Sequence, residues 1–260
     1  MPNTDSSGDD YAPHCPVSAA FIHACRLHAC TPRRETRTLT STLPAADVTT
    51  LVTHANIGSV AVTASPDAEV HVSVKLEPSN NFFWDIFTKS KAPEAIRTAT
   101  ISHTLDKGAL DFSVQYPADT QADDVNEEWS IAVPAKVHVK SHINIGKLKV
   151  TGIGGGVEAQ MNIGKVMLDV PGGPLDVSIN VGKITVQAHT TDYGSVALAT
   201  NIGDTHLTVD GLSVGGTQKQ GTGSQINYQG KGSDAINLKT NTGKVSLALQ
   251  AQTPPAAAKH

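Results

Sequence analysis

A three-residue motif recurs along this chain at nearly constant spacing, and it constrains the fold more than any other feature. Asn-(Ile/Val/Thr)-Gly begins at Asn144, Asn162, Asn180, Asn201 and Asn241, with an earlier copy at Asn56. The steps between the later copies are 18, 18, 21 and 40 residues. The last step reads as two rungs of 20, with Gly221-Thr222-Gly223 as a degenerate corner between them. A fixed period of this length marks a repeat architecture. One unit cannot bury its own apolar face, so stability has to come from stacked neighbours and from caps at the ends.

Aligned on the Asn, both flanks alternate with period two. Val157, Ala159 and Met161 precede Asn162, and Leu175, Val177 and Ile179 precede Asn180. Val166, Leu168 and Val170 follow the first of these, and Ile184, Val186 and Ala188 the second. The early copy follows suit with Val60, Val62 and Ala64. Such alternation gives each strand one buried and one exposed face. Each rung is therefore expected to be a strand, an Asn-x-Gly corner, a second strand and a Gly-rich return such as Gly154-Gly155-Gly156. At the corner, Gly146, Gly164, Gly182, Gly203 and Gly243 supply positive φ at little cost. The preceding Asn side chains, stacked in register, form a hydrogen-bonded ladder.

The fold class that follows is all-β: a parallel β-solenoid of about 18–21 residues per rung over 135–250, after a less regular β-rich half over 37–134. Strands are expected in that half at Ser59–Thr63, Val70–Leu76, Thr98–Ser102, Ala109–Gln115 and Trp129–Val133. An aromatic insertion, 80–97, interrupts it, and Phe82, Phe83, Trp84 and Phe87 fit a cap on the open end or a partner or membrane contact. Residues 251–260 read as a frayed tail. Composition agrees, because 17% charged residues with 22 Gly suits many short strands and tight turns rather than disorder. A formal net charge of −4 without Lys/Arg concentration argues against nucleic-acid binding. No run reaches the ~18 apolar residues of a transmembrane helix.

All three cysteines, Cys15, Cys25 and Cys30, lie within the irregular segment 1–36. Val17–Ala24 has the apolar character of a short export signal, and Leu27-His28-Ala29-Cys30 resembles a degenerate lipoprotein box that would lipidate Cys30. Asp5, Asp9 and Asp10 stand where a signal carries basic residues. The accompanying His14, His23 and His28 match no zinc spacing, so no metal is assigned.

A resemblance emerges from the middle of the chain. Glu128-Trp129-Ser130-Ile131-Ala132-Val133-Pro134, then Val137-His138-Val139, Asn144-Ile145-Gly146 and Val150-Thr151-Gly152-Ile153-Gly154-Gly155, resembles a widespread bacterial family of adhesin label that includes the toastrack β-solenoid domains. The likeness extends from Leu39 to Leu249. It implies an exported, often lipid-anchored or membrane-associated protein with no established catalytic residues.

The residue after each corner Gly is Lys147, Lys165, Lys183, Asp204 and Lys244. Stacked rungs make these a basic stripe for phosphate, sulfate or uronate groups. The bland alternatives are a solvated corner whose lysines block edge pairing, or neutralisation by Glu158, Asp169 and Asp176. Asp123, Asp124, Glu127 and Glu128 read as a solvated loop rather than a Ca²⁺ loop. Gly-x-Ser-x-Gly, His-Glu-x-x-His and the P-loop are absent, and no paired carboxylates line the outward columns. The expectation is therefore a non-catalytic, cofactor-free β-solenoid of the cell envelope that binds an anionic glycan or an envelope protein. A β-helix polysaccharide enzyme and an intracellular polymer-forming scaffold are the alternatives.

Overall fold

The computed structural model describes residues 36–79, 92–117, 125–214 and 218–251, all within one unit spanning Arg34–His260. Four expectations lie outside the described residues: the cysteine segment with Cys30, the aromatic cluster Phe82, Phe83, Trp84 and Phe87, the pair Asp123–Asp124, and the tail over 252–260. The fold is mostly β, a large mixed and largely parallel sheet with one short helix among the described residues.

Six long strands form its body. In spatial order they are β2 (Thr50–Ser65), β7 (His138–Thr151), β8 (Val157–Val170), β9 (Leu175–Ala188), β14 (Asp234–Leu249) and β10 (Tyr193–Val209). All five interfaces between them are parallel and in register: Gly58 pairs Gly146, then Gly164, Gly182, Gly243 and Gly203 in turn. The early copy at Asn56 thus belongs to the same stack as the later ones.

The stacking order departs from chain order at one place, and this corrects the reading of the last 40-residue step. β14 inserts between β9 and β10, so Asn241 neighbours Asn180 while Asn201 lies outermost of the six. Gly221-Thr222-Gly223 is not a parallel rung. It turns β12 (Gln218–Gln220) into β13 (Gly223–Gln229), which pairs β10 antiparallel. The turn sits beside the Asn201 corner, where Gly203 N donates to Thr222 O at 3.0 Å, but the chain passes it in reverse. A Gly-x-Gly spacing alone cannot tell a hairpin turn from a corner, because both ask for the same backbone freedom.

The glycine corner has a tighter requirement than turning. In the six corner glycines φ lies between 130° and 158°. A Cβ on Gly146, Gly164, Gly182, Gly203 or Gly243 would fall 1.7–1.9 Å from the carbonyl oxygen of the adjacent corner glycine. The column closes on Gly58, where the same atom would meet Glu127 O at 1.9 Å. Backbone thus packs on backbone at every corner, and only hydrogen fits between.

Burial follows the predicted alternation. Val157, Ala159, Met161, Val166, Leu168 and Val170 are buried, as are Leu175, Val177, Ile179, Ile184, Val186 and Ala188. Ala64 departs from the pattern and is exposed, one residue past the end of the β2–β7 pairing though still paired with Val133 of the strand on the other side. Val177 and Leu198 share one layer with Leu238 of the inserted strand between them.

Beyond β2 the sheet divides. The first half of β2 pairs β5 (Ala109–Gln115), itself paired to β4 (Thr100–Asp106), while its second half pairs β6 (Val125–Pro134). From β6 the path continues antiparallel to β3 (Glu69–Pro78) and β1 (Arg37–Pro44), a strand the sequence pattern did not suggest. The described part of the 80–97 insertion ends in α1 (Ala92–Thr98), which buries Ala95 and Ile96 and packs on β3 and β6. The Arg37 guanidinium fastens β1 to this helix, donating from Nη1 to Ile96 O, Arg97 O and, at 2.9 Å, Ala99 O. A two-residue strand, β11 (Leu212–Ser213), pairs the end of β10.

Candidate functional site: the corner columns

Stacking turns each motif position into a column. The Asn column is a continuous ladder. Asn144 Nδ2 donates to Asn56 Oδ1 at 3.0 Å, Asn162 to Asn144 at 3.2 Å and Asn180 to Asn162 at 3.1 Å. It crosses the strand insertion unbroken, with Asn241 donating to Asn180 at 3.2 Å and Asn201 to Asn241 at 2.8 Å. The expected amide ladder is present, in the spatial order of the strands rather than that of the chain.

Beside the ladder runs an exposed aliphatic ridge of the middle motif residues: Ile145 (41%), Ile163 (44%), Val181 (41%) and Ile202 (52%). Thr242 interrupts it on the inserted strand. The lysine column lies on the far side of the glycines. Lys147 pairs Lys165, Lys165 pairs Lys183, and Lys183 pairs Lys244. In chain order Asp204 would stand between Lys183 and Lys244. The insertion of β14 moves it to the end, where it pairs Lys244 alone. At the other end Lys147 pairs Ser59, and Ser59 pairs Glu128.

None of these four lysines has an ion-pair partner among the described residues. The acidic groups expected to neutralise them are engaged elsewhere. Glu158 pairs Lys140 at 3.0 Å, Asp169 contacts His189 at 2.6 Å, and Asp176 accepts from Asn237 at 3.1 Å. Edge protection does not explain the lysines either, because β7, β8, β9 and β14 are all paired on both sides.

Alongside the ladder lies a shallow groove of about 1150 Å³. Its second column, two residues before each Asn, is His54, His142, Gln160, Ser178, Lys239 and Ala199 in spatial order. Ser113, Val114, Tyr116 and Glu127 wall its lower end. The His54 and His142 rings stack there at 5.2 Å and 15°. Partial burial, with His54 and Lys140 nearby, holds His142 below the usual imidazole value. His54 Nε2 also lies 3.6 Å from Asp111 Oδ2.

Glu127 corrects the reading of the acidic run as a solvated loop. Glu127 and Glu128 lie within β6, and Glu127 is buried. Tyr116 Oη donates to its Oε1 and Trp129 Nε1 to its Oε2, each at 2.8 Å. Burial pushes its carboxyl up, and the two donors offset part of that shift. The aromatic partners are one strand neighbour and one residue just past β5, so spacing along the chain gave no sign of the trio. The histidine pair carried a signal: His54 and His142 both stand two residues before a motif Asn, and aligning the early copy over this column brings them together.

Among the described residues one group has the geometry to converge on a cation, Asp67, Glu69 and His71 at the β2–β3 turn. Its arrangement is accounted for internally. The Ser65 hydroxyl, together with His71 Nε2 at 2.9 Å from Asp67 Oδ2, holds the Asp67 carboxyl at about 2.

No family model matches the chain, and no curated protein matches it. Among solved structures, a putative cell adhesion protein from Clostridium sporogenes is similar in fold, with 14% identity and a TM-score of 0.50 over 83% of this chain and 100% of that one. A looser likeness, with 11% identity and a TM-score of 0.28, joins 81% of this chain to 97% of a putative adhesin from Bacteroides fragilis. The Clostridium sporogenes likeness agrees in fold with the resemblance read from the sequence.

Proposed function

We propose that this chain is a non-catalytic β-solenoid of the bacterial cell envelope, an adhesin-like module that binds anionic polymers through its lysine column. Five consecutive in-register parallel interfaces, with the buried face changing phase at the same motif in each strand, support the coil. The cell-adhesion description of the Clostridium sporogenes fold relative agrees with a binding role.

The contiguity of Lys147, Lys165, Lys183 and Lys244 carries the reading. Adjacent strands lie about 4.8 Å apart, well inside a Debye length of ~8 Å at physiological salt. Like charges opposed across a sheet are destabilising. A row of four without ion-pair partners therefore stands at a cost, which a bound row of sulfates, phosphates or carboxylates relieves. A glycan-cleaving enzyme would want a second carboxyl across its groove, and Glu127 is the one carboxyl among the described residues that line it.

The test is binding of the full chain to polygalacturonate and to a sulfated glycan across a salt series, with the quadruple Lys→Ser variant alongside. Binding should fall steeply with salt and vanish in the variant. Salt-insensitive binding, or equal binding by the variant, removes the lysine column from the function. Release of reducing ends from either polymer removes the non-catalytic reading.

A further inference from the structure

The groove on the other side of the ladder has a different chemistry. Asn144, Asn162, Asn180 and Asn241 each spend one amide N–H and one oxygen lone pair within the ladder. A carboxamide has two N–H donors and two lone pairs, so each of these four residues keeps one donor and one acceptor for a ligand. The four are exposed and follow one another on successive strands. They make a rail that repeats a donor and an acceptor once per rung, about every 4.8 Å. Gln160 and Ser178 add amide and hydroxyl groups in the parallel column.

From this we infer that the groove is a binding site for a neutral, extended, hydroxyl-rich polymer, a β-linked pyranose chain lying along the stack. The chemistry matches because a sugar hydroxyl both donates and accepts, as each rail position requires. The spacing matches because one β-linked sugar advances by roughly one rung, and since alternate sugars flip, like faces return at every second rung. An extended polypeptide also alternates donors and acceptors, but like-facing groups recur every two residues, about 6.6–6.8 Å. It would lose register with the rail within two rungs. Charge points the same way. Among the described residues Lys239 is the only Lys or Arg lining the groove, and Glu127, its only carboxyl, is buried and held by Tyr116 and Trp129. The rail therefore presents amides where the lysine column presents charge, and the two surfaces are separated by the aliphatic ridge. This inference does not depend on the lysine column binding anything.

Calorimetry with cello- and chito-oligosaccharides of two to six sugars tests it on the full chain. Affinity should rise with each added sugar until the rail is covered, and should change little with salt. Ser178→Trp fills the middle of the groove from an outward position and should weaken the longest oligomer about tenfold or more, corresponding to 1.4 kcal/mol or more. Gln160→Ala, a smaller change, should weaken it less, and both variants should keep the parent's unfolding midpoint. The quadruple Lys→Ser variant should bind these oligomers as the parent does, even if its anionic-polymer binding is gone. Absence of binding, affinity independent of length, or full affinity in Ser178→Trp overturns the inference. So does loss of binding confined to the lysine variant, which would assign the glycan to the other column.

Discussion

The middle of the stack and the end beyond β2 are built on opposite plans. In β7, β8, β9 and β14 the same contacts recur from level to level: glycine on glycine carbonyl and amide on amide throughout, and aliphatic on aliphatic in most of the core columns. Beyond β2 these motif contacts do not recur among the described residues. The sheet divides between β5 and β6, and single devices hold the parts, Arg37 on the carbonyls of α1 and Glu127 between Tyr116 and Trp129. A repeat can add strands at little cost in design but cannot stop itself, because its last strand offers an unpaired edge. The end therefore carries non-repeating residues, including the one buried carboxylic acid among the described residues.

The sharpest way to break the contrast is to place a methyl group on a central corner. Gly164→Ala sets a Cβ 1.9 Å from Gly146 O at a φ of 150°, and neither backbone can retreat without disturbing the next rung. We expect a loss above about 4 kcal/mol, the range that marks a specific structural failure. Gly211→Ala is the control. Its φ is 79° but nothing lies within 4 Å of the added atom, so backbone strain alone applies, about 1–3 kcal/mol. Equal denaturation midpoints for the two variants would show that close approach is not what the corners demand.

A smaller loss is expected from Leu168→Ala, which empties a buried site in register with Val150 and Val186. Truncation of a buried aliphatic side chain costs about 2–5 kcal/mol. Leu105, 49% exposed on β4, should lose less than about 0.5 kcal/mol when truncated. Chemical denaturation of both variants checks the assigned faces, and a Leu168 effect as small as that of Leu105 would mean the facing is wrong.

The same contrast decides what could be read from the sequence. The strand register, the buried faces and the amide ladder were legible because each repeats, and repetition shows itself in one chain. The position of β14 was not, since sequence spacing says how long a connection is and not which side of β10 it returns to. Nor was the burial of Glu127: its neighbours Asp123, Asp124 and Glu128 suggest a solvated run, while its fate is set by Tyr116 and Trp129. The lysine column was anticipated in composition but not in order, and its continuity depends on the same unforeseen insertion.

The smallest expected effect concerns pH, and it should arise at the irregular end. Burial raises the Glu127 carboxyl above its ordinary value of 4.5 in the folded protein. The folded state then holds this proton more tightly than the unfolded chain does. Its contribution to stability is complete below pH 4.5 and declines as pH rises through the raised folded value, then stays level. Asp67, held at about 2, acts in the opposite sense. Its contribution is present above its unfolded value of 3.8 and is lost as pH falls toward 2. Glu127→Gln removes only the first of these. The amide keeps an oxygen for Trp129, and the Tyr116 hydroxyl, able to accept as well as donate, can receive its N–H. The unfolding midpoints of parent and variant should therefore nearly coincide near pH 4, with the variant gaining on the parent as pH rises toward neutrality. Asp67 is common to both and cancels from the difference. A difference that does not change with pH would mean that Glu127 titrates as an ordinary exposed carboxyl, and the irregular end would then owe nothing to a buried acid.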